Sequence, residues 1–96
     1  MPRIYSWDRK KNSANLSKHG VTFERAIRVF EGFTLEFQDD RYNYDEIREV
    51  AIGLVEADEI VVIFTEVRDE ERRIISARRA KRAERERYWR ARRRND

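Results

Sequence analysis

The sequence predicts an α+β fold, an antiparallel sheet packed by helices in the order β-α-α-β-β-β-β-α. Three observations carry this. Several short runs alternate apolar and polar residues, as half-buried strands do. One run, Ile60-Val-Val-Ile-Phe64, is apolar at every position, as in a central strand covered on both faces. Two capped segments ended by Gly20 and Gly32 precede the strands, and an arginine-rich segment of helical character follows them.

Residues 3–7 (Arg-Ile-Tyr-Ser-Trp) alternate and make a short first strand. Asp8 can cap a helix over Arg9–His19, and Gly20 suits its left-handed end. Thr22 caps a second helix, in which Phe23, Ala26, Ile27 and Phe30 follow the i, i+3, i+4, i+7 pattern of one buried stripe. Gly32 stops it. Phe33, Leu35 and Phe37 alternate as a strand, and the stretch Gln38–Glu46 is a polar connection. Val50, Ile52 and Leu54 alternate again, and the Glu56–Glu59 segment turns tightly into Ile60–Phe64. Residues 68–72 turn the chain into a last strand, Arg73–Arg78. These four strands are expected to form a meander with the helices on one of its faces. The closing helix, Ala80–Arg93, has a narrow apolar side of Ala80, Ala83, Tyr88 and Ala91; small residues bury little area, so it should be the most weakly held element.

At 96 residues the chain is expected to form one domain, residues 1–96. Charged residues make up 43%, well above the roughly 25% of an average domain, but periodic apolar blocks and 11% aromatics argue for a folded chain with a thin core. The opening MPRIYSWDRK has no stretch resembling a signal peptide, and Ile60–Phe64 is too short to cross a bilayer. A cytoplasmic protein without membrane association is the expectation. Charge is unevenly placed. Between Glu36 and Glu59, nine acidic residues face two arginines; between Arg68 and Arg94, thirteen basic residues face five acidic ones. Such a basic end is either an electrostatic footprint for a polyanion or a solvated helix surface.

The residue inventory removes several chemistries. Without cysteine there is no thiol nucleophile, and one histidine rules out a histidine pair or a His/Cys zinc cluster. Three scattered glycines make no phosphate loop. Neither metal nor cofactor is expected. An enzyme built from the remainder relies on arginine, lysine, carboxylate, tyrosine or His19. RNA cleavage fits that inventory, because the 2′-hydroxyl of the substrate is itself the nucleophile. The protein need only hold the backbone in line and neutralise charge on the phosphate oxygens. Arginine does this with a planar, permanently charged fork.

Arg68, Arg73, Arg78 and Arg79 are the candidates, since a hairpin turning near Glu70 brings residues of two strands together. Alternation sends Arg78 and Arg79 to opposite faces, so only one of them shares a site with Arg68. Pairing with Glu66, Asp69, Glu70 and Glu71 is the structural alternative. Asp8, Lys11, Asn15 and Lys18 form a stripe on the first helix that either reaches RNA or is solvated. His19 sits at a helix C-terminus, where a dipole contact competes with catalysis. Trp89, among arginines that include Arg82, can stack on a base, form a partner contact or pack on the sheet. Glu66 and Tyr88 can move protons or serve the structure.

The pattern Trp7-Asp8-x-x-Lys11-x-x-x-Asn15-x-x-Lys18-His19-Gly20-Val21-x-Phe23 resembles the opening of the BrnT family. Ala26 and Val29-Phe30 fit the family's second helix, and Asp40-Arg41, Tyr44, Glu46, Arg48 and Ile52-Gly53 its middle segment. Val61–Glu66 and Arg73–Ala80 resemble its most recognisable block, continued by Glu84, Arg85 and Tyr88. The resemblance implies a RelE-like fold and metal-independent endoribonuclease activity that blocks translation by cutting messenger RNA, on the ribosome or free. It also implies a BrnA-like antitoxin with a ribbon-helix-helix domain, through which the complex binds operator DNA. It places the catalytic role on Arg68, Arg78 and Arg79, with Lys18, His19, Arg73, Arg82 and Trp89 expected to contact RNA. One position departs from the pattern. Family members commonly carry arginine directly after the glutamate of the Thr65-Glu66 block, and here Val67 stands there with Arg68 next. Either a bulge returns Arg68 to the site, or the site has lost one arginine.

Overall fold

A computed structural model describes residues 3–40 and 46–94. Strand β1 (Ile4–Ser6) leads into helix α1 (Arg9–His19) and helix α2 (Phe23–Ala26), which tightens into a 3₁₀ turn over Ile27–Glu31. Strands β2 (Leu35–Asp39), β3 (Arg48–Val55), β4 (Asp58–Arg68) and β5 (Glu71–Arg79) follow, then helix α3 (Arg82–Arg94). The expected order is present, and β2 to β5 form the expected antiparallel meander. The polar connection assigned to Gln38–Glu46 is shorter than expected, because β2 runs on to Asp39; residues 41–45 lie outside the described residues.

Local sequence explains the helix ends. The Asp8 carboxylate accepts hydrogen bonds from the amides of Lys10 and Lys11, at 2.8 and 3.2 Å. Gly20 takes φ 73° and donates its N–H to the Leu16 carbonyl at 2.8 Å. Thr22 Oγ1 accepts from the Arg25 amide. The stripe expected on the second helix is corrected by its tightening. With three residues per 3₁₀ turn, Phe23, Ala26 and Val29 line up and are fully buried, while Ile27 and Phe30 are only half-buried.

Helix α1 is held by a polar pin. Its only buried residue is Asn15, whose amide nitrogen donates to the carbonyls of Val21 (2.9 Å) and Ala77 (2.8 Å). The Asn15 carbonyl oxygen accepts from the Ala77 amide at 3.2 Å. Strand β1 covers β5 only from Glu71 to Arg73, in a parallel pairing that the wholly antiparallel expectation did not include. Beyond that point the Asn15 side chain satisfies the backbone that a neighbouring strand would otherwise pair.

The sheet order is β1-β5-β4-β3-β2, and both of its faces are covered. Ala51, Val55, Ile60, Val62, Phe64, Ile74 and Ala77 pack under α1 and α2, and Gly53 lets the 3₁₀ turn approach this face. The odd-even alternation sends Val50, Ile52 and Val61 to the other side, beneath α3. Helices on a single face were expected; the correction follows from β3 and β4, which are apolar on both sides and need two covers.

Helix α3 buries most of the side expected: Tyr88 is fully buried, Ala80 just ahead of the helix is buried and Ala91 is half-buried, whereas Ala83 is exposed. The Tyr88 hydroxyl donates to the Phe33 carbonyl at 3.1 Å, Trp89 Nε1 donates to Glu59 at 2.9 Å, and Arg87 lies 4.5 Å over the Phe37 ring. The helix is thus held by one large aromatic and by polar ties. No described helix is long and apolar enough to cross a membrane.

Candidate functional site

Strand β5 positions most of the candidate arginines, and its irregularities decide where they face. Ile63 pairs with Ser76 but Phe64 pairs with Ile74, so Ile75 is an extra residue, a β-bulge. Upstream of it Arg72 and Ile74 face α2, and downstream Ala77 and Arg79 do. Arg73 and Arg78 therefore share the α3 face although an odd number of positions separates them. A second bulge lies at Val67, because Glu66 pairs with Arg72 and Arg68 with Glu71. It shifts Arg68 to the face of Arg73 and Arg78, the side that a regular strand would give to position 67.

A cleft of about 340 Å³ opens beside α3, floored by Phe37, Val50, Val61 and Ile63. Arg78 and Arg87 line it with Glu84 and Asp39. Both terminal nitrogens of Arg78 donate to Glu84 at 2.8 Å, and Nη1 also reaches the Arg79 carbonyl at 3.2 Å. The pair is three-quarters buried, with Arg78 and Glu84 side chains 24% and 23% exposed. Hydrogen bonds from Arg78 hold the Glu84 carboxyl below the usual range, so it is a carboxylate at neutral pH. Glu84 also accepts from the Lys81 amide at 2.7 Å, tying the start of α3 to the arginine it orients.

The other predicted residues lie elsewhere. Arg79 is on the α2 side, bonded to Asp58 at 3.0 Å, and Asp58 also accepts from Arg25 at 2.9 Å. Arg68, 78% exposed, pairs with Glu71 at 3.0 Å at the far end of the hairpin. From Glu71 to Arg78 the strand climbs about 20 Å at its usual rise. Arg68 and Arg78 share a face but do not converge on one atom, which corrects the convergence expected of the hairpin. Arg73 is exposed between them. Lys18 is exposed and His19 half-buried at the end of α1, while Asn15 points inward as the β5 pin, which removes it from the proposed basic stripe. Arg82, 87% exposed, pairs with Glu86. Trp89 packs edge-on against Tyr88 and is tied to Glu59, so its ring belongs to the second core. Tyr88, fully buried, is structural as well.

Sequence reasoning missed three participants. Glu84 as the partner of Arg78 was hidden because it lies on α3, across the turn that ends β5, whereas the hairpin acids share the ladder of the arginines. Arg87 over Phe37 became visible only once α3 lay on the sheet. Arg72 is 6% exposed and lies within 4.8 Å of the Phe30 and Phe64 ring centres, with Glu36 and Glu66 each 3.5 Å away. Its two-residue spacing from the apolar Ile74 was the available signal that it faces inward. Among the described residues no group of His, Asp and Glu side chains is placed to hold a metal ion.

Fold and site together define a small α+β protein with paired arginines and carboxylates along the last strand and helix. Comparison with known proteins narrows that class. Residues 7–84 match the family model described as the ribonuclease toxin BrnT of type II toxin–antitoxin systems. The chain belongs to this BrnT family. It is similar to the Brucella abortus ribonuclease toxin BrnT, known from a crystal structure at 1.1 Å resolution, with 30% identity and a TM-score of 0.66. The alignment covers 85% of this chain and 100% of the Brucella chain. No curated protein sequence matches the chain.

Proposed function

We propose that this toxin, a single domain over residues 1–96, is an endoribonuclease that cuts messenger RNA without a metal. In this reading the RNA backbone lies on the α3 face of β3 to β5, and Arg78 binds the scissile phosphate. The observation that carries it is the Arg78–Glu84 pair, a guanidinium held in plane at the edge of a half-enclosed cleft. The substrate 2′-hydroxyl gives up its proton to solvent as its oxygen bonds to the adjacent phosphorus, the P–O5′ bond breaks, the leaving 5′-oxygen takes a proton from water, and a 2′,3′-cyclic phosphate forms. Arg78 neutralises charge on the non-bridging oxygens as that happens. Arg73 and Arg68, on the same face toward the hairpin, contact phosphates further along the strand. Arg79, Lys18, His19, Arg82 and Trp89 are peripheral to this path. Messenger cleavage arrests translation, and a BrnA-like antitoxin with a ribbon-helix-helix domain neutralises the toxin and brings the complex to operator DNA.

Induced expression of the chain in bacteria tests this directly. Wild type arrests growth and leaves RNA ends bearing 2′,3′-cyclic phosphate, whereas Arg78→Ala, at equal soluble level, does neither. Arrest by Arg78→Ala equal to wild type removes Arg78 from the mechanism. One observation favours a second reading, a basic subunit that docks an antitoxin or RNA and cleaves nothing: Arg68, Arg78 and Arg79 are each already bonded to a carboxylate. Absence of new RNA ends from active, soluble protein would select it.

A further inference from the structure

The outer side of α3 is not used by the cleft or by either core. Seven of its thirteen residues are arginine and none is lysine. Four of these are engaged: Arg82 with Glu86, Arg85 with the Ala80 carbonyl, Arg87 over Phe37, and Arg92 with Tyr88 and Trp89. Arg90, Arg93 and Arg94 make no ion pair or side-chain hydrogen bond among the described residues. They stand at i, i+3 and i+4, and therefore on one face of the helix. All three are exposed, and Arg90 and Arg93 flank a surface groove that runs beside Trp89 to Arg82.

We propose that the Arg90–Arg93–Arg94 stripe is a second RNA-binding surface, a track for the phosphate backbone remote from the bond that is cut. This rests on the reading of the chain as a toxin that acts on RNA. Glu86 and Glu59 also line this groove, but Glu86 pairs with Arg82 and Glu59 is tied to Trp89, so the three guanidiniums leave a net positive face that a phosphate chain can neutralise. Arginine offers a planar fork to phosphate oxygens where lysine offers a point charge. A protein partner fits the stripe less well, because interface centres are aromatic or aliphatic and poor in charge, and the outward positions here are Ala83, Glu86 and the three arginines. The position also suits an extended substrate. Glu84, at the first turn of α3, holds Arg78 in the cleft, and the helix then runs about 15 Å to Arg94. A strand leaving the cleft along α3 passes over the stripe several nucleotides from the cut.

The test is binding of a single-stranded RNA 20-mer, 2′-O-methylated throughout so that no nucleophile is present, across a salt series. The protein is the full chain and its triple variant Arg90→Gln, Arg93→Gln, Arg94→Gln. Each phosphate contact on single-stranded nucleic acid contributes about 0.7 to the slope of log affinity against log salt. The triple variant should therefore lose about 2 from that slope. Between 50 and 200 mM salt, its affinity should fall about 16-fold less than that of wild type. The single variant Arg78→Ala should change the slope by no more than one contact. A slope in the triple variant equal to wild type, in protein with an unchanged melting curve, overturns the proposal. An unchanged slope together with lost binding to an oligo-glutamate peptide would instead assign the stripe to an acidic protein. If wild type yields no 2′,3′-cyclic ends while the triple variant still loses its slope, cleavage fails and the track stands.

Discussion

Asn15→Ala should be among the most damaging single substitutions in this chain, although it removes only a small polar side chain from the middle of an otherwise largely exposed helix. Ala77 is fully buried, and Asn15 is the partner of both its N–H and its C=O on the side away from β4. Deleting the amide leaves two buried backbone groups unsatisfied, and Val21 O loses a donor as well. A buried unsatisfied group costs about 1–3 kcal/mol. Partial entry of water offsets some of this, which puts the loss at about 3 kcal/mol. For a chain of this size 1 kcal/mol lowers Tm by about 4–8 °C, so thermal unfolding followed by circular dichroism should show a drop of about 12–24 °C. Asn15→Asp sharpens the test. Its carboxylate still accepts from the Ala77 amide, but sets an anionic oxygen against the two carbonyls that the Asn15 nitrogen satisfied. At pH 7 it should be at least as destabilised as the alanine variant. Burial and the two carbonyls raise the folded-state pKa of the introduced carboxyl above its free value, near 3.9. Its protonated form therefore favours folding at low pH, and its deficit against wild type narrows as pH falls. A Tm loss under about 4 °C for Asn15→Ala would refute the strand-surrogate reasoning.

Three further outcomes follow from particular contacts. Gly53→Ala would place a Cβ 2.8 Å from Val29 Cβ, so either the 3₁₀ turn or β3 must shift; a loss of about 1–3 kcal/mol in urea unfolding is expected, and a neutral result would show that the turn yields freely. Tyr88→Phe removes the bond to the Phe33 carbonyl and should cost about 1 kcal/mol, against about 4 kcal/mol for Tyr88→Ala, which also empties the second core; equal losses would mean the ring is not packed as described. Because Arg78 depresses the Glu84 carboxyl, that pair stabilises the fold above the usual value of 4.5 and loses its effect as pH falls through the depressed value. The Tm gap between wild type and Glu84→Gln should accordingly be wide at pH 7 and shrink as pH falls below 4.5, and a gap independent of pH contradicts the pairing.

Much of the fold was legible because its signals are local. Asp8, Gly20 and Thr22 cap their helices through bonds that span two to four residues, and the alternation in β3 and the continuous run in β4 needed no distant partner to be read. What failed depended on contacts far apart in sequence. Asn15 looked like part of a basic stripe because its partner lies 62 residues away. The packed side of α3 was legible except at Ala83, but what ties it down was not, because Tyr88 and Trp89 find their partners on Phe33 and Glu59. The candidate arginines were recognised as a group, but their separation along the hairpin was not, since a one-residue bulge leaves no mark in composition.

The bulge at Ile75 has a consequence for how relatives of this chain should be compared. Between Arg73 and the Arg78-Arg79 pair, which arginine looks toward α3 is settled by whether the extra residue is bulged out or kept in the ladder. A strand of the same length paired regularly from Arg73 onward would exchange the two, Arg79 facing the cleft and Arg78 turning toward Asp58, whereas deleting Ile75 would remove the bulge and leave Arg78 in place. Residue identity is redundant at this pair, so substitution alone is a weak guide to its use. Strand length and bulge must be read together, and losing the bulge at unchanged length is the perturbation that relocates the charge without removing it.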